Sequence, residues 1–182
     1  MSRVRLCSNS TTRAKLLEKA GIEFIQTGVD FDEDSIKAKT PKEFVYKATL
    51  GKYKEAKKRF GLDMPILVAD TVVTSYGKIL RKAKDETDAR EILNLQSGSV
   101  TSIITCTILE KKDMFFLNIS STDYLFSKFD KDDLENFIKS GEWRGKAGAC
   151  MVEGFCKPYI KEVRGLESNA MGLPMEKIVA FL

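Results

Sequence analysis

Histidine is absent from all 182 residues of this chain, and that absence removes several chemistries together. Ser-His-Asp and Cys-His nucleophilic catalysis, histidine-ligated zinc and histidine general bases are excluded. Acid–base or metal chemistry must run on Asp, Glu, Lys, Tyr or water. Carboxylates suit hard cations such as Mg2+ and Mn2+, and those cations suit phosphates. Cysteine is scarce: Cys7, Cys106, Cys150 and Cys156 form no CxxC pair, so all four are expected as reduced, packed thiols. No apolar run approaches the roughly 20 residues that span a bilayer. The opening Met1-Ser2-Arg3-Val4-Arg5-Leu6-Cys7-Ser8 has neither the apolar stretch nor the small-residue cleavage site of a signal peptide. A cytoplasmic protein without membrane contact is expected.

The residues that are present suffice for a core: 43% are hydrophobic and 31% charged, so no staple is needed for folding. The length suits one domain, residues 1–182, with two lobes. The net charge is +4, but the lysines are dispersed, with short runs only at Lys57-Lys58-Arg59 and Lys111-Lys112. No nucleic-acid motif or aromatic platform accompanies them, so they read as a solvated basic surface, and no stable nucleic-acid complex is expected.

Periodicity and punctuation divide the chain. Val4–Cys7 reads as a buried strand, and Ser8 to Thr12 as a polar turn that caps a helix from Arg13 to Ala20. Ile22–Thr27 is a strand and Asp30–Asp34 an acidic loop. Thr40-Pro41 opens a helix that runs to about Phe60. Pro65–Val73 is the clearest buried strand, followed by a short strand at Lys78–Leu80 and a helix over Asp85–Leu95. Ser99–Lys111 and Met114–Phe126 form a hairpin about Lys112-Asp113. Asp130–Lys139 is a helix, Ala147–Met151 and Phe155–Val163 are strands, and Pro174–Phe181 is a closing helix. This order indicates an α/β protein with a mixed sheet.

Several residues stand out for chemistry, each with an ordinary structural alternative. The strand–turn–helix at Ser8, Ser10 and Arg13 offers unpaired amides, hydroxyls and a fork-shaped cation to phosphate, or is simply a capped helix. Asp70 follows an apolar strand, where ligands of α/β proteins gather, or forms a turn. Asp32-Glu33 is a second acidic cluster or a solvated loop. Lys52 and Lys82 are surface lysines by themselves. Lys146–Ala149 and Gly172-Leu173-Pro174 are small-residue segments where backbone can approach a ligand. Trp143 stacks on a base or fills the core.

Taken in order, the set resembles a known family. Ser8-x-Ser10-x-x-Arg13, Leu16-Leu17-x-x-x-Gly21-Ile22, Asp32-Glu33, Ala69-Asp70-Thr71-Val72-Val73, Ile79-Leu80-x-Lys82, Ser97-Gly98, Thr105, Lys146–Ala149 and Gly172-Leu173-Pro174 look like the Maf family of nucleoside triphosphate pyrophosphatases. The resemblance runs from about residue 4 to the C-terminus. It implies an elongated mixed β-sheet flanked by helices, with two lobes, a deep cleft and often a homodimer. It also implies roles: Ser8 and Arg13 in a phosphate-binding turn, Glu33 and Asp70 as the catalytic and metal-holding acids, and Lys52 and Lys82 facing phosphate. Mg2+ or Mn2+ is the implied cofactor and a nucleoside triphosphate the partner. Water, positioned by Asp70, attacks the α-phosphorus in line, and pyrophosphate leaves.

The departures from the family leave the phosphate chemistry in place and blur substrate choice. Thr11-Thr12 stands where Pro-Arg is commonest, Arg81-Lys82-Ala83 where Gly-Lys-Pro is usual, Gly145 where Asp often precedes Lys-Ala-Gly, and Thr101 where His is common. Glu153, in Glu153-Gly154-Phe155, resembles the branch that acts on N7-methyl-GTP, and a carboxylate matches the two donors on a guanine edge. Thr71 instead resembles the branch acting on dTTP and UTP. Base specificity stays open between them. An alternative to turnover is a nucleotide-binding regulator of cell division or septation.

Overall fold

The computed structural model describes residues 3–182. Met1 and Ser2, at the head of the segment read as lacking a leader, lie outside the described residues. Among these residues seven strands form one mixed sheet in the order β2-β1-β3-β5-β6-β7, with β4 paired to β3. The strands are β1 (Val4–Leu6), β2 (Phe24–Gln26), β3 (Ile66–Ser75), β4 (Lys78–Ile79), β5 (Val100–Lys111), β6 (Met114–Phe126) and β7 (Ile160–Arg164). The helices are α1 (Thr11–Lys19), α2 (Pro41–Phe60), α3 (Glu86–Gln96), α4 (Lys131–Ser140), α5 (Glu167–Ala170) and α6 (Met175–Ile178). None of the helices among the described residues is long and apolar enough to cross a membrane.

The chain divides into two compact units. The first comprises residues 1–71, 104–121 and 166–182, and the second residues 72–103 and 122–165. In the first unit, β1 pairs in parallel with β2 on one side and with β3 on the other. The chain leaves β1 through α1 toward β2, then returns through α2 to β3. The β1/β3 boundary is therefore a topological switch point, the place where open α/β sheets leave a crevice beyond their strand ends. Val4, Leu6, Leu17, Leu67, Ala69 and Leu109 pack one face of this unit. Cys7, Tyr53, Ala56, Ile66, Val68 and Ile108 pack another.

Capping chemistry sets the helix starts. Ser10, Thr40, Asp85 and Asp130 each accept a backbone N–H of the first turn of α1, α2, α3 and α4, which satisfies one of the orphaned donors there. Pro41 adds a preset φ at the head of α2.

Two expected strands need correction, both in the second unit. Residues 147–151 form no strand: Ala147 makes only an isolated bridge with Lys82. Gly148 and Ala149 adopt φ of 70° and 57°, outside the extended region. The strand expected over Phe155–Val163 begins only at Ile160, because Lys157–Tyr159 forms a 3₁₀ turn with Pro158 near its start. A short helix, α5, that the periodicity did not signal precedes the closing helix.

The thiol expectation is corrected as well. Cys150 and Cys156 are disulfide-bonded, with their Cα atoms 6.7 Å apart, because the turns over residues 152–156 bring the chain back on itself. Cys7 and Cys106 are free and buried, and burial pushes each thiol up to about 11. Under denaturing conditions without reductant, a thiol reagent should therefore count only Cys7 and Cys106. All four should react after reduction, and neither free thiol should react in the native protein at pH 8. Four thiols before reduction would show the pair to be open.

Candidate functional site

Six of the residues that the sequence singles out, Ser8, Arg13, Glu33, Lys52, Asp70 and Thr71, lie at the carboxyl edge of the β1/β3 pair in the first unit. β1 pairs with β3 through Arg5–Ile66 and Leu6–Leu67 and then ends, whereas β3 runs on to Ser75. Asp70 lies mid-strand, not at a strand end as the sequence suggests. It is nevertheless three residues past the last pairing with β1, about 10 Å along the strand. Its neighbour strand has by then turned away through Ser8–Ser10 into α1.

Asp70 is 8% exposed. Its carboxylate accepts a hydrogen bond from Lys52 Nζ at 2.6 Å, and the same ammonium lies 2.5 Å from Glu33. Lys52 thus bridges two acids from two elements. Local sequence explains how they meet. Glu33 sits in a 3₁₀ turn that Asp32 caps by accepting from Asp34 N–H, and Phe31 precedes that turn. A Cβ on Gly51 would overlap the Phe31 ring, so only glycine lets Phe31 lie against α2. The glycine in mid-helix costs about 1 kcal/mol of propensity. In return the acidic turn lies beside the residue following Gly51, which is Lys52.

Burial works against the charge on both partners of the pair. It raises the pKa of Asp70 above the ordinary carboxylate value, an effect that Lys52 opposes and Glu33 reinforces. Burial would lower Lys52, yet Asp70 and Glu33 together hold it above the ordinary lysine value.

Arg13, in the first turn of α1, occupies the other side of the cluster. Its Nε donates to Gly172 O at 2.9 Å, Nη1 to Ser8 Oγ at 3.0 Å and Nη2 to Thr71 Oγ1 at 2.9 Å. All three acceptors are neutral, so the cationic charge is held in place without a contacting carboxylate. Burial lowers its pKa from the ordinary arginine value, against the pull of Asp70 and Glu33; an arginine remains charged regardless. A Cβ on Gly172 would meet Arg13 Nε at 2.9 Å, and its φ of 104° disfavours a side chain. The small residue that sequence placed against a ligand is needed here against Arg13. The turn before α1 is held by Gln26, whose Nε2 donates to Ser8 O at 2.8 Å and Ser10 O at 3.1 Å.

Ser8, Arg13, Glu33, Lys52, Asp70 and Thr71 therefore belong to one unit, and hydrogen bonds and ion pairs link them in two sets. Lys82 and Glu153 belong to the other. There, Lys82 is exposed and bridges to Ala147. The Lys146–Ala149 backbone closes on its own unit, with Gly148 N–H donating to Leu80 O and its Cα near the Val73 side chain. Glu153 is exposed in the turns between the bonded cysteines. Trp143 is core: it is 2% exposed, and its indole N–H donates to Ile138 O. Gln26 and the Phe31–Gly51 contact escaped sequence reasoning. A lone glycine inside a capped helix is the one local sign of the latter.

The fold and this cluster define a class: an α/β protein with two carboxylates and two fixed cations at the carboxyl edge of a parallel switch point. The chain belongs to the Maf family, whose model, described as Maf-like protein, matches residues 3–182. It is 55% identical over 177 residues to the nucleoside triphosphate pyrophosphatase of a Nitratiruptor species, covering 96% of each chain. The protein of the same name from Helicobacter pylori (strain J99 / ATCC 700824) is 38% identical over 97% of this chain and 93% of its own. That from Campylobacter jejuni subsp. jejuni serotype O:23/36 (strain 81-176) is 36% identical over 97% and 98%. Among solved structures, a Vibrio cholerae protein aligns over 85% of this chain and 77% of its own at TM-score 0.40 and 12% identity, too loose a likeness to carry an argument.

Replacing Lys52 with Met should cost about 2 kcal/mol of stability at pH 7, since it strands a largely buried carboxylate. Asp70 then has a folded pKa raised further above its unfolded value. The deficit should shrink as pH falls and vanish below about pH 4, where Asp70 is neutral in both states. Denaturant unfolding of both proteins at pH 7 and pH 4 checks this; an equal deficit at both would mean that charge is not the cause.

Proposed function

We propose that the chain is a nucleoside triphosphate pyrophosphatase that works with Mg2+ or Mn2+ and releases the nucleoside monophosphate and pyrophosphate. The observation that carries this reading is the convergence of Asp70 and Glu33 on a single cation, in a unit where Arg13 stands ready for an anion. The names of the relatives support the same activity.

The residues fit a divalent cation. Two carboxylates already share one positive charge, and Mg2+ is commonly held by one or two carboxylates, with water and phosphate oxygens completing its shell. No cluster of three or more His, Cys, Asp or Glu is available among the described residues, so such an ion relies on the nucleotide for the remaining positions. When bound, it supplies Lewis-acid polarisation of the phosphoryl oxygens.

The chain's own groups do the rest. Arg13, Ser8 and the open N-terminus of α1 bind phosphate oxygens. Lys52 exchanges its carboxylate partners for phosphate; for Lys82, in the second unit, the phosphate role rests on the family resemblance alone. Asp70 accepts the proton of the water that attacks the α-phosphorus, and burial makes it a stronger base than a solvated carboxylate. Thr71 contacts the base; for Glu153, in the second unit, a base contact rests on the family resemblance alone, and the substrates are drawn from dTTP, UTP and N7-methyl-GTP. The setting is the cytoplasmic nucleotide pool.

Purified protein with Mn2+ or Mg2+ should release pyrophosphate from one or two nucleotides of a panel of dTTP, UTP, CTP, GTP, N7-methyl-GTP and inosine triphosphate. Asp70→Asn should lower kcat by about a thousandfold with the circular dichroism spectrum unchanged. Near wild-type turnover would remove Asp70 from the mechanism. Binding of a triphosphate without pyrophosphate release would favour the regulator reading instead.

A further inference from the structure

The Arg13 hydrogen bonds continue beyond Thr71. Thr71 Oγ1 lies 2.9 Å from Thr105 Oγ1 on the neighbouring strand β5, and Thr105 Oγ1 donates to Asn169 O at 2.8 Å. Asn169 O is a carbonyl and only accepts. Each hydroxyl has one proton and two lone pairs, so the direction of the whole chain follows. Thr105 gives its proton to Asn169 O and therefore accepts from Thr71. Thr71 gives its proton to Thr105 and accepts from Arg13 Nη2.

The same backbone segment holds Arg13 a second way. Gly172 N–H donates to Asn169 O at 2.9 Å, and Gly172 O receives Arg13 Nε at 2.9 Å. The segment itself is pinned: Leu173 N–H donates to Ser168 O at 3.1 Å and Met175 N–H to Ser168 Oγ at 3.2 Å, while Ser168 Oγ donates to Glu176. Two arms of the guanidinium fork thus end on residues 169–172, one directly and one through two hydroxyls. Thr105 is fully buried and lies one hydroxyl away from the guanidinium.

We propose that Thr105 is a positioning residue that orients the Thr71 hydroxyl as an acceptor and thereby fixes the guanidinium plane of Arg13 for a triphosphate. With its proton committed to Thr105, Thr71 has only a lone pair left to offer. It can meet an N–H or O–H of a ligand but cannot donate to a phosphate oxygen. Thr71 consequently belongs to the part of the substrate that carries donors, while Arg13 serves the anion. The use of Arg13 as a phosphate ligand rests on the function proposed above; the orientation of its guanidinium does not.

The test separates the two. In the free protein labelled with 15N-arginine, the Nε–H and Nη–H signals of Arg13, assigned with Arg13→Lys, report guanidinium rotation and exchange. Thr105→Val keeps the shape and removes the hydroxyl; it should speed that rotation, and Thr105→Ser should restore it. The affinity for a non-hydrolysable triphosphate analogue should fall about tenfold in Thr105→Val, as expected for a hydrogen bond supporting a charged group. In an active enzyme that loss should appear as a higher KM with kcat little changed. In a Thr71→Val background, the Thr105→Val substitution should change neither the signals nor the affinity by more than about twofold.

Unchanged Arg13 signals in folded Thr105→Val would overturn the proposal. So would a full effect that persists without the Thr71 hydroxyl, or failure of serine to rescue. Altered Arg13 signals in a protein that neither binds nor hydrolyses a triphosphate would sustain the positioning role and overturn the proposed function instead.

Discussion

Asp70 keeps a carboxylate on a buried strand, and the surrounding structure is arranged to make that tolerable. An isolated charge there costs several kcal/mol, and a partner ammonium repays the cost only when its geometry is good. Lys52 supplies the partner, which requires α2 to lie where its mid-helix lysine reaches β3. Glu33 shares the ammonium, which requires the acidic turn to rest on α2. That contact is made possible by Gly51, where the Phe31 ring takes the space of a side chain. A helix-weakening residue in an otherwise well-capped helix is thereby accounted for by the electrostatics of a neighbouring strand.

Arg13 is treated in the opposite manner. Its Nε, Nη1 and Nη2 are satisfied by a carbonyl and two hydroxyls, so the guanidinium is oriented while its charge is left unneutralised by direct contact. The two acids share one contacting ammonium, whereas the arginine has no contacting carboxylate. The guanidinium is thus fixed at the start of α1 by neutral acceptors, while the two carboxylates are held by one lysine. This split between ion-paired acids and a cation without a contacting acid is the electrostatic feature on which the proposed use of the cluster rests.

Much of the fold was legible from local rules. Ser10, Thr40, Asp85 and Asp130 mark helix starts because a side-chain oxygen must satisfy a backbone donor within the next three residues, a relation contained within a few neighbouring residues. The β5–β6 hairpin was legible for the same reason. Misreadings arose where backbone conformation and covalent closure depend on contacts distant in sequence. Ala147–Met151 has strand-like composition, but Gly148 closes against Val73 and turns at positive φ. Cys150 and Cys156 have no spacing signature, and their bond depends on turns that tertiary packing completes.

The site divides along the same line. Sequence by itself narrowed the chemistry: no histidine, hence carboxylates and lysines as the candidates; a polar turn at a helix start, readable as an anion subsite or a plain cap; and an ordered motif series that brings the Maf family into view. It also named Ser8, Arg13, Glu33, Lys52, Asp70 and Thr71 as candidates. Only the tertiary structure decided their relations: that Lys52 joins both acids, that Gly172 makes room for Arg13 rather than for a ligand, and that Thr105 directs the Thr71 proton. Residue type and spacing encode what a side chain can donate, accept or neutralise. Which partner receives it is set by strand register and close approach between segments up to 159 residues apart, as with Arg13 and Gly172, and no local pattern carries that information.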